Sequence, residues 1–422
     1  MSARDPSPVW HPFTQHALQT DAIAIARAEG AWLETPDGRR ILDAISSWWV
    51  VTHGHCHPLI TAAIKAEADR LDQVIFAGFT HEPAERLARA LIAIAPPGLA
   101  HVFYSDSGST SVEVAIKMAL GYWRNTGEPR HRILALEHGY HGDTVGGMSL
   151  GARGVFNAPY APLLFDVTRI PFPAPSREQA TLDALEVACS EGPVAALIVE
   201  PLILGAGGML IYSSEVLAAM KRVCEKHGVL FIADEVMTAW GRTGTLFACE
   251  QAGITPDILC LAKGITGGAL PLAATLCTRR IFEAHLSADR AKTFFHSSSY
   301  TANPLACAAA VANLEVWWRE PVGDRVAALA AGQAQRLAAF AGDGRFKNLR
   351  RLGTIAALDL DVADAGYLAD AGPRLYQFFV DRGVLLRPLG NTIYVMPPYC
   401  VTEGELDRVY VAIRAAADVV GG

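Results

Sequence analysis

The sequence predicts an α/β protein built on a mostly parallel sheet, and three observations carry that prediction. Five short apolar runs, His101–Ser105, Arg132–Leu136, Val194–Val199, Val229–Ala233 and Ile258–Ala262, are bounded by Gly, Pro or Asp. They lack clean apolar–polar alternation, as expected of strands covered by helices on both faces. Amphipathic helical stretches separate them, such as Ser111–Arg124 and Ser214–His227. The second stretch offers Val216, Leu217, Met220, Val223 and Cys224 at three- and four-residue spacing and stops at Gly228. Strand–helix alternation of this kind gives parallel pairing with right-handed crossovers.

Beyond about Glu320 the texture changes. An Ala-rich helix over Val326–Ala341 precedes an extended stretch at Arg350–Asp361. A helix over Leu368–Arg382 and short strands at Val384–Arg387 and Thr392–Met396 follow. Helices segregated from strands predict a smaller α+β unit.

Composition narrows the function. Of 422 residues 51% are hydrophobic and 19% charged, which excludes a disordered chain. With 36 basic against 43 acidic residues the net charge is −7, and no long Lys/Arg run occurs, so a nucleic-acid partner is not expected. No apolar run reaches bilayer length, so no membrane partner is expected either. Met1–Pro6 lacks the apolar core of a secretory signal, and eight cysteines are scattered without a CxxC pair. Reduced thiols and a cytoplasmic enzyme are the expectation.

Asp234 and Lys263 form the strongest constellation, each closing a predicted strand. In a parallel sheet both reach the carboxyl edge, where open α/β folds bind ligands. A buried lysine there has a lowered pKa and suits Schiff-base chemistry, while a nearby carboxylate can keep a pyridinium nitrogen protonated. A buried structural ion pair is the alternative. Ser105-Asp106-Ser107-Gly108-Ser109-Thr110, between a strand and a helix, reads as a phosphate cradle or as an ordinary helix cap. No GxxxxGK[ST] occurs, which disfavours a nucleotide-hydrolysing loop. In Gly139-Tyr140-His141-Gly142-Asp143, Tyr140 can stack on an aromatic cofactor and Asp143 can hydrogen-bond beside it; a turn with a packed aromatic is the alternative. His53-Gly54-His55-Cys56-His57-Pro58 raises a metal reading, but no zinc-spaced partner cluster or HExxH accompanies it, so no metal is assigned.

These segments together identify a family. Phe231-Ile232-Ala233-Asp234-Glu235-Val236-Met237-Thr238-Ala239-Trp240-Gly241-Arg242-Thr243-Gly244, with Lys263 following 29 residues after Asp234, resembles the class III pyridoxal-phosphate aminotransferases. Ser107-Gly108-Ser109, Gly139-Tyr140-His141-Gly142 and Asn303-Pro304-Leu305-Ala306 fall in the family's order, and the resemblance runs from about Trp10 to about Val409. It implies fold type I and a homodimer. Residues 1–50 would join the small domain, 51–319 form the cofactor domain and 320–422 complete the small domain. Lys263 would hold pyridoxal 5'-phosphate and move the proton; Asp234 would face the pyridine nitrogen and Tyr140 the ring. Gly108 and Ser109 would contact the phosphate, with Ser298 and Ser299 reaching across the dimer.

Within the family the chain is similar to the branch that makes 7,8-diaminononanoate from 8-amino-7-oxononanoate for biotin. Trp10-His11-Pro12-Phe13-Thr14, Ser46-Ser47-Trp48-Trp49 and Arg387-Pro388-Leu389-Gly390-Asn391-Thr392-Ile393-Tyr394 carry that likeness. It implies S-adenosylmethionine as amino donor, with lysine the other option, and Phe13 stands where a tyrosine is expected. Trp48, Trp49, Tyr140, Asp143, Arg242, Lys263, Ser297 and Arg387 are the implied substrate residues. The adjacent tryptophans, on an extended segment, would point to opposite sides. Alternatives are another class III aminotransferase acting on an ω-amino acid or polyamine, and an aminomutase on the same fold.

Overall fold

The computed structural model describes residues 7–18, 22–363 and 365–420; Met1–Pro6, read above for a signal, lies outside them. Its centre is a seven-stranded sheet. In chain order the strands are β1 (Leu99–Ser105), β2 (Arg132–Leu136), β3 (Thr168–Ile170), β4 (Val194–Val199), β5 (Leu230–Asp234), β6 (Ile258–Leu261) and β7 (Ala273–Thr278). Their spatial order is β1-β7-β6-β5-β4-β2-β3. The ladders from β6 through β5, β4 and β2 to β3 are parallel. Every residue of β4, β5 and β6 is buried, which is why these runs show no polar alternation.

One strand departs from the sequence reading. β7 runs antiparallel to both β6 and β1, separating two strands that would otherwise be neighbours. The chain turns back toward it through Gly267 and Gly268, whose φ values of 67° and 88° suit glycine.

The predicted stretch Arg350–Asp361 is a hairpin of two strands, Phe346–Leu352 and Ile355–Leu360, turned at Gly353 and Thr354. The two flanking helices occupy Val322–Ala338 and Ala371–Asp381, shifted by a few residues because turns close the intervening segments. Near the amino terminus, Arg27–Glu29, Trp32–Glu34 and Arg40–Asp43 form antiparallel pairs, and Val384–Leu385 adds in parallel to Arg40–Asp43. Both ends of the chain therefore share one sheet. They also share a core, in which Leu42, Ile45 and Trp49 pack with Phe379, Leu386, Met396 and Leu406. Burying side chains of this size contributes about 1.5–3 kcal/mol each.

The helix Pro304–Arg319 joins these parts to the site. Asn303 caps it by accepting from the Ala306 N–H at 3.1 Å, and Pro304 takes the first turn, where its missing N–H costs nothing. Its alanine-rich faces let neighbours approach closely, so ten of its residues are buried. One is Asn313, whose Nδ2 donates to the carbonyls of Gly264 and Ile265, each at 3.1 Å. Its Oδ1 accepts from His53 Nε2 at 2.8 Å. A buried amide thus pins the turn that follows Lys263.

Candidate active site

Five strands of the sheet deliver residues to one cavity of about 420 Å³ at their carboxyl ends. β1 leads into Asp106, Ser107, Gly108 and Ser109, and β2 into Tyr140 and His141. Glu200 follows β4, Asp234 ends β5, and Lys263 lies just past β6. This is the placement that spacing alone predicted for Asp234 and Lys263.

The structural ion pair considered for those two is not what forms. Asp234, buried, accepts from His141 Nδ1 at 2.7 Å and from the Val236 N–H at 3.2 Å. Lys263 instead has its Nζ 4.8 Å from the centre of the Trp49 ring. Burial pushes its amine down to about 8, against the opposing charges of Asp234 and Glu200 and with the help of Arg242. Its φ of 48° is unusual for a side chain with a Cβ, and the short turn Lys263–Thr266 holds it there. Gly264 admits the close approach of Trp240, whose ring lies 2.8 Å from where a Cβ would stand.

The Ser107 region satisfies both of its readings. Ser107 is the N-cap of the helix Gly108–Asn125, with Thr110 completing a reciprocal capping box. Gly108 and Ser109 are then the first helical residues, whose N–H groups have no intrahelical acceptor. Both line the cavity, at the positive end of an 18-residue helix. An added Cβ at Gly108 would meet Val236 at 2.6 Å, so the wall is drawn tight there. Ser109 Oγ accepts from the Asp143 N–H at 3.2 Å, which ties the Tyr140 loop to the helix start.

A second cavity of about 350 Å³ shares Trp49, Tyr140 and Lys263 with the first. Phe13, Trp48, Asp143, Phe156, Tyr367, Arg387 and Tyr394 complete most of its wall. The tryptophans do not sit on an extended segment. Ser46–Trp49 is a kinked turn with left-handed φ at Ser46, Ser47 and Trp49. Buried Asp43 holds it, accepting from the Ser47 N–H at 2.8 Å, the Ile45 N–H at 3.3 Å and the Ser47 hydroxyl at 3.0 Å. The side chains still diverge: Trp49 is buried and donates to the Tyr394 hydroxyl at 3.0 Å, while Trp48 is 42% exposed. Arg387 has its guanidinium carbon 5.3 Å from the Trp48 ring centre, and Nη2 donates to the Phe13 carbonyl at 3.4 Å.

Arg242 is a correction. It is 1% exposed and lines neither cavity; its guanidinium donates to the carbonyls of Pro397 at 3.1 Å, Val51 at 2.9 Å and Trp49 at 3.5 Å. Its place is behind the tryptophan turn, outside both cavities. Ser297, Ser298 and Ser299 do not line either cavity of their own chain. Ser297 and Ser299 are exposed, and Gln73 holds the Ser299 carbonyl at 2.6 Å. The three histidines of the 53–57 segment serve separate partners, Asn313, Asp43 and Glu320. Among the described residues no three His, Cys, Asp or Glu converge as a metal site.

Sequence reasoning missed Glu200, His141, Phe156 and Tyr367. Glu200 accepts from the N–H groups of Tyr140 at 3.0 Å and Gly205 at 2.9 Å, and burial raises its carboxyl to about 7. It follows the Val194–Val199 run directly, so asking what closes every predicted strand finds it. His141 lay inside a quoted motif without a role. Nothing local marks Phe156 or Tyr367.

The donors present fit pyridoxal phosphate: an amine of lowered pKa, a buried carboxylate fixed by an imidazole, an aromatic wall at Tyr140, and a helix start able to take a phosphate. The chain belongs to the aminotransferase class-III family, whose model matches residues 14–417. That family uses pyridoxal phosphate.

The chain is similar to the adenosylmethionine-8-amino-7-oxononanoate aminotransferase of Synechococcus elongatus, at 47% identity over 98% of this chain and 99% of that one. It is also similar to the one from Mycobacterium leprae, at 41% identity over 100% of this chain and 97% of that one. Among solved structures it is similar to the adenosylmethionine-8-amino-7-oxononanoate aminotransferase of Methanocaldococcus jannaschii, with a TM-score of 0.93, 34% identity and coverage of 98% and 97%. An amine transaminase from an uncultivated Pseudomonas species gives the same TM-score and identity, with coverage of 98% and 99%.

Proposed function

We propose that this protein transfers an amino group to 8-amino-7-oxononanoate, giving 7,8-diaminononanoate for biotin synthesis, with S-adenosylmethionine as donor. The observation that carries the reading is one lysine, Lys263, lining both the cofactor cavity and the aromatic cavity that contains Arg387. Relatives named for that reaction, similar over nearly their whole length, support it. Bound pyridoxal phosphate supplies the electron sink that makes a carbon next to nitrogen acidic.

Each residue then has a task. Gly108 and Ser109 receive the phosphate, and Tyr140 packs on the ring. Asp234, oriented by His141, keeps a proton on the pyridine nitrogen. Lys263, its amine brought by burial down to about 8, gives up its proton far more readily than an exposed lysine and can take and return a proton at the reacting carbon. Arg387 takes the terminal carboxylate of the keto acid with a two-pronged guanidinium, and Trp48 and Trp49 flank its apolar chain. Asp143 faces the same cavity. Arg242 holds the tryptophan turn from behind.

The working form in this reading is a cytoplasmic homodimer, in which Ser298 and Ser299 reach the partner's phosphate and Ser297 the substrate beside it. Exposure of Ile75, Phe79, Phe295 and Tyr300 in or near that segment supports it, since large apolar groups gathered at a surface mark an interface. Among the described residues no helix is long and apolar enough to cross a membrane. The test is to supply purified protein with pyridoxal phosphate and 8-amino-7-oxononanoate, then S-adenosylmethionine or lysine separately. Diamine with S-adenosylmethionine is expected; diamine with lysine alone would move the donor, and none with either would remove the reading.

A further inference from the structure

Lys263 stands on a strained backbone. Its φ of 48° lies in the left-handed region that a residue with a Cβ avoids, and the turn carrying it, Lys263–Thr266, has only four residues. So short a segment does not hold such a conformation by its own hydrogen bonds; the structure around it must.

Asn313, from the helix Pro304–Arg319, supplies that hold. Its Nδ2 donates to two carbonyls of the turn, those of Gly264 and Ile265, each at 3.1 Å. Gly267 lets the amide lie close, since a Cβ there would stand 3.1 Å from Asn313 Oδ1. That oxygen can only accept, and His53 Nε2 meets it at 2.8 Å, so the imidazole carries a hydrogen on Nε2. Burial pushes the imidazole down to about 4, against the hydrogen bond to Asn313, which keeps it neutral. Its Nδ1, buried without a partner, is then a bare acceptor and not an orphan donor. Trp317 and Tyr399 stand edge-on to the ring, their centres 5.8 and 6.2 Å away, and keep it from turning.

We propose that Asn313, oriented by His53, is a positioning residue for Lys263: it sets where the amine stands when it takes and returns a proton, and takes no part in binding either substrate. The inference rests on Lys263 as the working amine, as read above. Neither Asn313 nor His53 lines the cofactor cavity or the substrate cavity, so a loss on substitution cannot come from a lost substrate contact. Proton transfer is sensitive to reach, and a displacement of about 1 Å can cost about 10²-fold in rate. His53 in this arrangement is a fixed donor and neither an acid nor a base.

Asn313→Asp and Asn313→Leu both fill the space of the amide without its pair of donors. Each should keep a cooperative melt and lose about ten- to a hundredfold in single-turnover rate in both half-reactions, with KM for either substrate within about twofold of wild type. A second readout needs no turnover. Competitive labelling of the full-length apoprotein with acetic anhydride, read at Lys263 by mass spectrometry, gives the pH at which the amine loses its proton. A lysine released from its turn moves toward water, so the midpoint should climb from about 8 toward the usual 10.5. His53→Gln keeps an N–H donor in the place of Nε2 and should stay near wild type in both readouts, whereas His53→Leu should shift both. Unchanged rates or an unchanged labelling midpoint in folded Asn313 variants, a loss confined to KM, or His53→Gln impaired as much as His53→Leu would overturn the proposal. If the Asn313 variants do not melt cooperatively, the two His53 variants decide it by the same readouts. If Lys263→Ala keeps its turnover, the reading of the working amine itself fails, which is a different result.

Discussion

The floor and the mouth of this site are built differently. The floor is made of residues at the ends of buried parallel strands, each fixed by a ladder and then by a specific partner, as Asp234 is by His141 and the Lys263 turn is by Asn313. The mouth comes from segments around residues 13, 48, 156, 367 and 387, which meet only in the folded chain. Its members are half-exposed, and the tryptophan turn takes three left-handed residues that Asp43 and Arg242 must hold. A rigid floor suits chemistry common to many substrates, and an assembled mouth suits the choice among them. Changes to the floor should therefore disturb both half-reactions, and changes to the mouth should separate them.

The largest effect belongs to Lys263→Ala. It should fold, as judged by its thermal melt, yet lose at least ~10²-fold in both half-reactions, the lower range for removing a proton-transfer group. Borohydride treatment should no longer fix cofactor to the chain; persistent fixation would place the attachment at another residue.

Arg387→Ala comes next and should split the two. A charge-assisted hydrogen bond is worth about 1.5–3 kcal/mol, so use of the keto acid should weaken by roughly ten- to a hundredfold, with far less change for the donor. Single-turnover rates for each substrate separately measure the split. Equal loss in both would assign the arginine to folding or to cofactor retention.

Glu200→Gln probes the floor more gently. Its carboxylate favours the charged form of Lys263, so its removal should lower the lysine pKa further below about 8. The pH midpoint for capture of pyridoxal phosphate by the apoprotein should move down accordingly. Stability gives a second readout. Because the folded carboxyl titrates near 7 and an unperturbed one near 4.5, the folded state holds the extra proton between those values. Stability therefore falls as pH rises from 4.5 through 7, and Gln should remove that part of the decline.

Phe13→Tyr should have the smallest effect. One neutral hydrogen bond is worth about 0.5–1.5 kcal/mol, so the apparent affinity for S-adenosylmethionine should change by about tenfold at most. A larger change would give the amino-terminal segment more than a covering role.

The same contrast explains what the chain disclosed before folding was considered. Asp234, Lys263, Tyr140 and the Ser107 cap could be located because each closes an apolar run, and a parallel sheet carries strand ends to one edge. Glu200 obeys that rule too and was missed only for want of applying it to Val194–Val199. β7 escaped because nothing in Ala273–Thr278 distinguishes an antiparallel strand from a parallel one. Arg242 was misplaced for a related reason. Its motif fixes its position along the chain, but the carbonyls it binds, at Val51 and Pro397, come from opposite ends of the sequence. Phe156 and Tyr367 owe their place to the packing of separate loops, which no local pattern records.

The account turns on one lysine serving two substrates in succession, and one measurement tests that most directly. Protein loaded with pyridoxal phosphate is incubated with S-adenosylmethionine labelled with nitrogen-15 at its amino group, then freed of all donor by gel filtration. 8-Amino-7-oxononanoate is added, and the product is read by mass spectrometry. The prediction is one labelled diamine per active site and then no further turnover. Labelled product only while donor is present, or a rearranged product formed without any donor, would contradict it.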